Sequence, residues 1–313
     1  MQLRNQRDSN LEILRIISMM FIIAHHLVVH GMAKADLVLT NPNSYVIYFL
    51  SMFGKIGVVI FILISAYFMI ESKFTLRKLL VLGGEVYFYS FLFLAIAIAI
   101  LTPNDISISN IGQSLLPLSH NGYWFITCYI VLMLFSPFLN KFIKAVSKNT
   151  LIKAILLSVL LWCIFPTFIP SMVSYPFQNV FVGNNFQYTP LVWFFVIYLI
   201  GSYIRLYLNL DKLNNKKLVG GFIISVILIY IGTCIFAVLD GFSTAHLFWG
   251  APAFDVLNGS LFRAFSLENN FFVLAASVFL FLIFLKRKSF SNQYINYLAG
   301  SAFGVYLNCA RTP

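Results

Sequence analysis

Charge is what this chain has least of. Of its 313 residues only 10% are Asp, Glu, Lys or Arg, and just 10 are acidic. Together with 60% hydrophobic residues and a mean hydropathy of +0.87, that balance excludes an ordinary soluble globular domain. Cysteine is sparse as well. The four cysteines show no metal-type spacing, and Cys128, Cys163 and Cys234 lie within apolar runs as small hydrophobes rather than as a disulfide framework. The chain has no glycine-rich phosphate loop, internal repeat, heptad run or low-complexity linker. One domain over residues 1–313 is the economical reading.

What is present is apolar length. Phe alone contributes 34 residues, and apolar runs fall near 11–32, 45–70, 79–101, 123–145, 151–169, 190–208, 217–239, 270–286 and 294–310. A helix of about 20 residues crosses roughly 30 Å of hydrocarbon. The expected fold is therefore all-α: a polytopic transmembrane helical bundle with about nine to ten spans, the last of them incomplete. The first run has no small-residue cleavage site and is interrupted by Arg15, so it is read as a retained span, not a removed signal peptide.

The net charge of +11 would raise nucleic-acid binding in a soluble protein, but here the basic residues mark the span ends. Arg4 and Arg7 precede the first span. Lys73, Arg77 and Lys78 follow the second, and Lys141, Lys144, Lys148 and Lys153 bracket the turn after the fourth. Arg205, Lys212, Lys216 and Lys217 follow the sixth, and Lys286, Arg287 and Lys288 the eighth, which places sixteen of the 21 basic residues on one side. The opposite loops hold only Lys34 and Arg263. By the positive-inside rule the N-terminus is cytoplasmic, the bilayer is the partner, and no nucleic acid is expected. Residues 170–190 and 240–269, on the opposite side, interleave aromatic residues with amides or mix Trp249 and His246 with Asp240, Asp255 and Arg263. Rings and planar amides suit a carbohydrate, whereas an interfacial aromatic belt would account for the same composition.

The densest polar feature lies in the first span, which carries Glu12, Arg15, His25, His26 and His30. Ionisable groups within a bilayer are costly and usually functional. Arg15 and His26 are eleven residues apart, three turns plus about 20°, so they share one helix face about 16 Å apart. Glu12 and Arg15 are spaced to pair near the cytoplasmic boundary, and Arg15 could also reach the headgroups. His25 and His26 sit past the middle of the span, where an imidazole can act as a general base on a hydroxyl. No carboxylate or further histidine has the spacing to complete a metal site with His30, and no metal is expected. Lys55, inside the second span, either snorkels outward or faces the same cavity as the histidines. Tyr123 and Trp124 open the fourth span as interface anchors or as a wall of the site.

These residues resemble the integral-membrane acyltransferase type 3 family, which includes O-acetyltransferases of bacterial cell-surface polysaccharides. The family's arginine and its histidine eleven residues later match Arg15 and His26. FILISAYFM at 61–69, the pair Arg77–Lys78, YWFITCYIVLMLFSPFLN at 123–140, FFVLAASVFLFLIF at 271–284 and AFGVYL at 302–307 also fit, in the family's order. The resemblance implies a multi-pass protein of the bacterial cytoplasmic membrane. It would transfer an acyl group, usually acetyl from acetyl-CoA, to a hydroxyl of a surface or exopolysaccharide sugar or its precursor. Carried over, His26 is the catalytic histidine, and Arg15 holds the donor or orients the site. Arg77 and Lys78 could add a CoA phosphate contact, although positive-inside charge explains the pair equally well. From their own positions along the chain, His25, Glu12, Lys55, Tyr123 and Trp124 are the residues expected to contact substrate. After AFGVYL the family usually continues with Ile-His, whereas this chain ends Asn308, Cys309, Ala310, Arg311, Thr312, Pro313. An inactive truncated member is one alternative reading, and a polytopic transporter or lipid-linked glycan flippase is the other.

Overall fold

A computed structural model describes residues 8–28, 42–100, 108–119, 124–168, 190–239 and 267–300. Within them every regular element is a helix. They are α1 (Ser9–His26), α2 (Pro42–Met69), α3 (Leu76–Ile100), α4 (Ile108–Leu115), α5 (Trp124–Ala145), α6 (Lys148–Val159), α7 (Phe165–Phe168), α8 (Pro190–Tyr207), α9 (Asn215–Leu239) and α10 (Phe271–Leu285). Among the described residues five helices are long and apolar enough to cross a membrane: Tyr45–Met69 of α2, the whole of α3, α5 and α8, and Asn215–Ile235 of α9. α10 is a shorter apolar helix.

Local chemistry explains where the helices begin. Side chains of Asp8, Ser147 and Asn270 accept from the first free backbone N–H groups of α1, α6 and α10. α2 and α8 open on Pro42 and Pro190, whose missing N–H costs nothing at a first turn. Inside the apolar helices the polar side chains bond back to their own backbone. Ser18 donates to Leu14 O, Ser65 to Phe61 O and Ser277 to Val273 O, at 2.7–2.9 Å.

The apolar run at 151–169 does not form the single regular helix expected of it. α6 passes into a π-helical turn at Leu160–Ile164 and then into the one-turn α7. Pro166 has no N–H to give Trp162 O, and Asn269 Nδ2 donates to that carbonyl at 2.9 Å. Pro137 inside α5 is handled the same way. It deprives Met133 O of its partner, and Ser136 Oγ donates to that oxygen at 2.7 Å. Both of these freed carbonyls are therefore satisfied.

α2 is the axis of the bundle, packed against α1, α8, α9 and α10. Its spanning segment is 71% buried, against 11% for α3. α3 turns Leu80, Phe88, Phe91, Ile96 and Ile98 outward, a surface that suits lipid and not water. Small residues set the closest approaches. A Cβ on Gly57 would stand 2.5 Å from Ser18 O of α1, and one on Gly201 of α8 would stand 2.6 Å from Ala66 Cβ of α2. Gly57→Ala is thus expected to lower stability by about 1–3 kcal/mol through overpacking. Gly83→Ala, with nothing within 4 Å, should leave the melting temperature unchanged or slightly higher. Thermal unfolding in detergent checks both, and equal behaviour of the two variants would contradict the packing described.

Polar contacts gather at the two ends of the bundle. At one end, Ser9 N donates to Phe290 O at 2.9 Å and Asn10 Nδ2 to Lys288 O at 2.9 Å. Lys286 Nζ donates to Leu213 O, and Arg205 Nε donates to Glu71 at 2.7 Å. Asn140 bonds both Met69 O and the Tyr198 hydroxyl. This end holds the starts of α1 and α9 and the ends of α2, α5, α8 and α10. At the other end lie the end of α1, the first half of α2, α7 and the start of α10.

Candidate active site

α1 is helical from Ser9 to His26, so Arg15 and His26 keep their three-turn separation on one face. Arg15 pairs with Glu12, Nη1 to Oε2, at 2.5 Å, the local pairing expected from their spacing. Glu12 is buried, and the Arg15 side chain is 23% exposed. This pair sits toward the end of the bundle where the start of α1 is tied to residues 288–296.

The two histidines lie at the opposite end and are held by different means. His26 Nδ1 lies 2.8 Å from Ile22 O, one turn back on its own helix. His25 Nδ1 lies 2.6 Å from Ser51 O of α2. A carbonyl only accepts, so Nδ1 carries the proton in each ring and Nε2 is the basic nitrogen of each neutral imidazole. The ring centroids are 5.8 Å apart with planes at 83°. α1 and α2 meet closely enough that a Cβ on Gly54 would fall 2.3 Å from His25 Cβ. His25 is therefore clamped between helices, and the Nδ1 atom of His26 is held from within α1.

Lys55 follows Gly54 on α2. It does not snorkel outward. Its ammonium donates to Glu268 Oε1 at 2.7 Å, with the Lys55 side chain 21% exposed and that of Glu268 only 2%. Glu268 belongs to the triplet Glu268–Asn269–Asn270, all three buried, that leads into α10. Asn269 takes the Trp162 carbonyl, Asn270 caps α10, and Thr167 Oγ1 accepts from Phe271 N at 3.0 Å. Sequence reading did not single out Glu268. An acidic residue followed by two asparagines at the edge of a 15-residue apolar helix was the available signal.

Other expected positions are scattered. Arg77 and Lys78 are exposed at the start of α3. Trp124 packs against Phe194 of α8, with centroids 6.2 Å apart. Tyr123, His30, the aromatic and amide-rich segments at 170–189 and 240–266, and residues 301–313 lie outside the described residues. Tyr129 of α5 reaches across to α2, donating to Ser65 Oγ at 3.1 Å.

A family model described as an acyltransferase domain, that of acyltransferase type 3, matches residues 8–307. The chain belongs to the acyltransferase type 3 family. No curated protein and no solved structure matches it. The match runs from the Asp8 cap of α1 past the last described helical stretch at 293–300, so it takes in Arg15, His25, His26, Lys55 and Glu268. The chain is accordingly a membrane acyltransferase of helical architecture.

Proposed function

We propose that this acyltransferase moves an acyl group, acetyl in the simplest case, from acyl-CoA to a hydroxyl of a cell-surface or exopolysaccharide sugar or its precursor. The observation that carries the reading is the pair of imidazoles whose Nδ1 atoms are held by carbonyls. Nε2 is then the base in a chain whose family transfers acyl groups. His26 Nε2 takes the proton of the acceptor hydroxyl as its oxygen attacks the thioester carbonyl carbon. The tetrahedral adduct then collapses, the C–S bond breaks, and the imidazolium returns the proton to the departing thiolate. The products are an ester and free CoA thiol.

The N-terminus is cytoplasmic in this reading. The basic residues that follow α2, α5, α8 and α10 fall at the bundle end that holds Ser9. Arg15, Arg77 and Lys78 then face the anionic donor, with the pantetheine arm bridging the distance from Arg15 to His26. His25 and its neighbours on α2 line the acceptor side. The test is purified full-length protein in lipid nanodiscs with radiolabelled acetyl-CoA and a panel of octyl glycosides. Label appearing in a glycoside, with CoA thiol released in equal amount, is expected. Glycoside movement without CoA release would favour a flippase and overturn the proposal.

A further inference from the structure

The two carboxylate oxygens of Glu268 are treated unequally by the fold. Oε1 receives Lys55, but Oε2 is buried with no hydrogen-bond partner among the described residues. A buried carboxylate oxygen left unpaired is costly, since each ionised oxygen can accept more than one hydrogen bond. Trp193 Nε1 and Ser202 Oγ are also buried without partners among the described residues, but both are neutral, and a missing bond costs them less. The setting of Glu268 is fixed from both sides. Asn269 and Asn270 are each committed to backbone partners, so the main chain at residue 268 has little freedom. Lys55 stands one residue along α2 from the glycine against which His25 packs, which brings the ion pair to the level of the histidines.

We infer that Glu268 Oε2 is a binding group for the acceptor, receiving a hydrogen bond from a hydroxyl of a polyhydroxylated substrate while Lys55 holds Oε1. This rests on the proposed acyl transfer and deepens it. A sugar offers several hydroxyls, so one can meet Oε2 while another lies at the imidazole. A carboxylate accepts from a hydroxyl more strongly than a neutral oxygen does, and a fixed carboxylate selects for a donor at one position. Lys55 is a positioning residue: it fixes the carboxylate rotamer and balances its charge.

The alternative role for Glu268 is charge balance for Lys55 alone, and a double variant separates the two. Full-length protein in nanodiscs is assayed with acetyl-CoA and the best acceptor in the octyl glycoside panel. Glu268→Gln is expected to raise acceptor KM about 10- to 100-fold, the size of a lost hydrogen bond to a charged group, with acetyl-CoA binding unchanged. Lys55→Met/Glu268→Gln removes both charges. It should recover the thermal stability of the unchanged protein yet keep the high acceptor KM. Recovery of the normal acceptor KM in the double variant would overturn the inference, as would a normal acceptor KM in Glu268→Gln. Glu268→Asp, which keeps the charge but draws the oxygen back, should raise the same KM and serves if the glutamine variants do not fold. Absence of transfer by the unchanged protein would instead count against the acyltransferase reading itself.

Discussion

Replacing His26 by alanine is expected to reduce acyl transfer by roughly 10²–10⁴-fold, the range of a lost general base. Acyl-CoA binding should survive, because Arg15 lies about 16 Å away along α1. Loss of the His26 Nδ1–Ile22 O bond by itself breaks no contact between helices, because both residues belong to α1. His25→Ala should behave differently. It removes a ring that bridges α1 to Ser51 O and fills the space beside Gly54, so both stability and activity should fall. Single-turnover transfer from labelled acetyl-CoA, with binding measured separately, distinguishes the two. Full transfer by His26→Ala would move the base elsewhere, with His25 the nearest imidazole among the described residues.

Replacing Lys55 by methionine should produce the largest loss of stability, about 3–5 kcal/mol if the carboxylate stays ionised. Glu268 would keep a negative charge in a site where its side chain is 2% exposed, with neither oxygen paired among the described residues. The Lys55 side chain is 21% exposed, so water reaching the vacated space places the loss toward the lower end of that range. Lys55→Arg, which can still donate to Oε1, should lose much less. Thermal unfolding followed by aromatic fluorescence in detergent reads the difference. A methionine variant as stable as the parent would mean that the pair contributes nothing net. The role of Lys55 in orienting Glu268 would then have to be sought in the transfer kinetics alone.

Much of the architecture was readable along the chain because the physics is local. Apolar runs of span length announce helices whatever surrounds them, as α2, α3, α5, α8 and α9 show. The Glu12–Arg15 pair is a three-residue helical neighbourhood, fixed by pitch. The hold on His26 is equally local: Nδ1 reaches the carbonyl four residues back. The family, too, was legible, because Arg15 and His26 keep a helical spacing that survives in any context.

The features that organise the far end of the bundle were not local. Glu268 meets Lys55 across 213 residues of sequence. Asn269 reaches a carbonyl 107 residues away that Pro166 had released. Periodicity has no term for such pairs, and it read 151–169 as one uninterrupted span. Lys55 looked free to snorkel because its partner stands beyond a long connecting segment. Only the packing of α1, α7 and α10 around α2 brings these groups together.

The amino-acid order alone thus determined a helical membrane chain, its basic end, its family and the register of Arg15 with His26, because hydropathy and helical pitch act over a few residues. The tertiary structure alone decided that His25 is pressed onto α2, that Lys55 is neutralised, and that a carboxylate oxygen is left buried. Those outcomes depend on which helices touch, and contact between distant segments is settled by close packing.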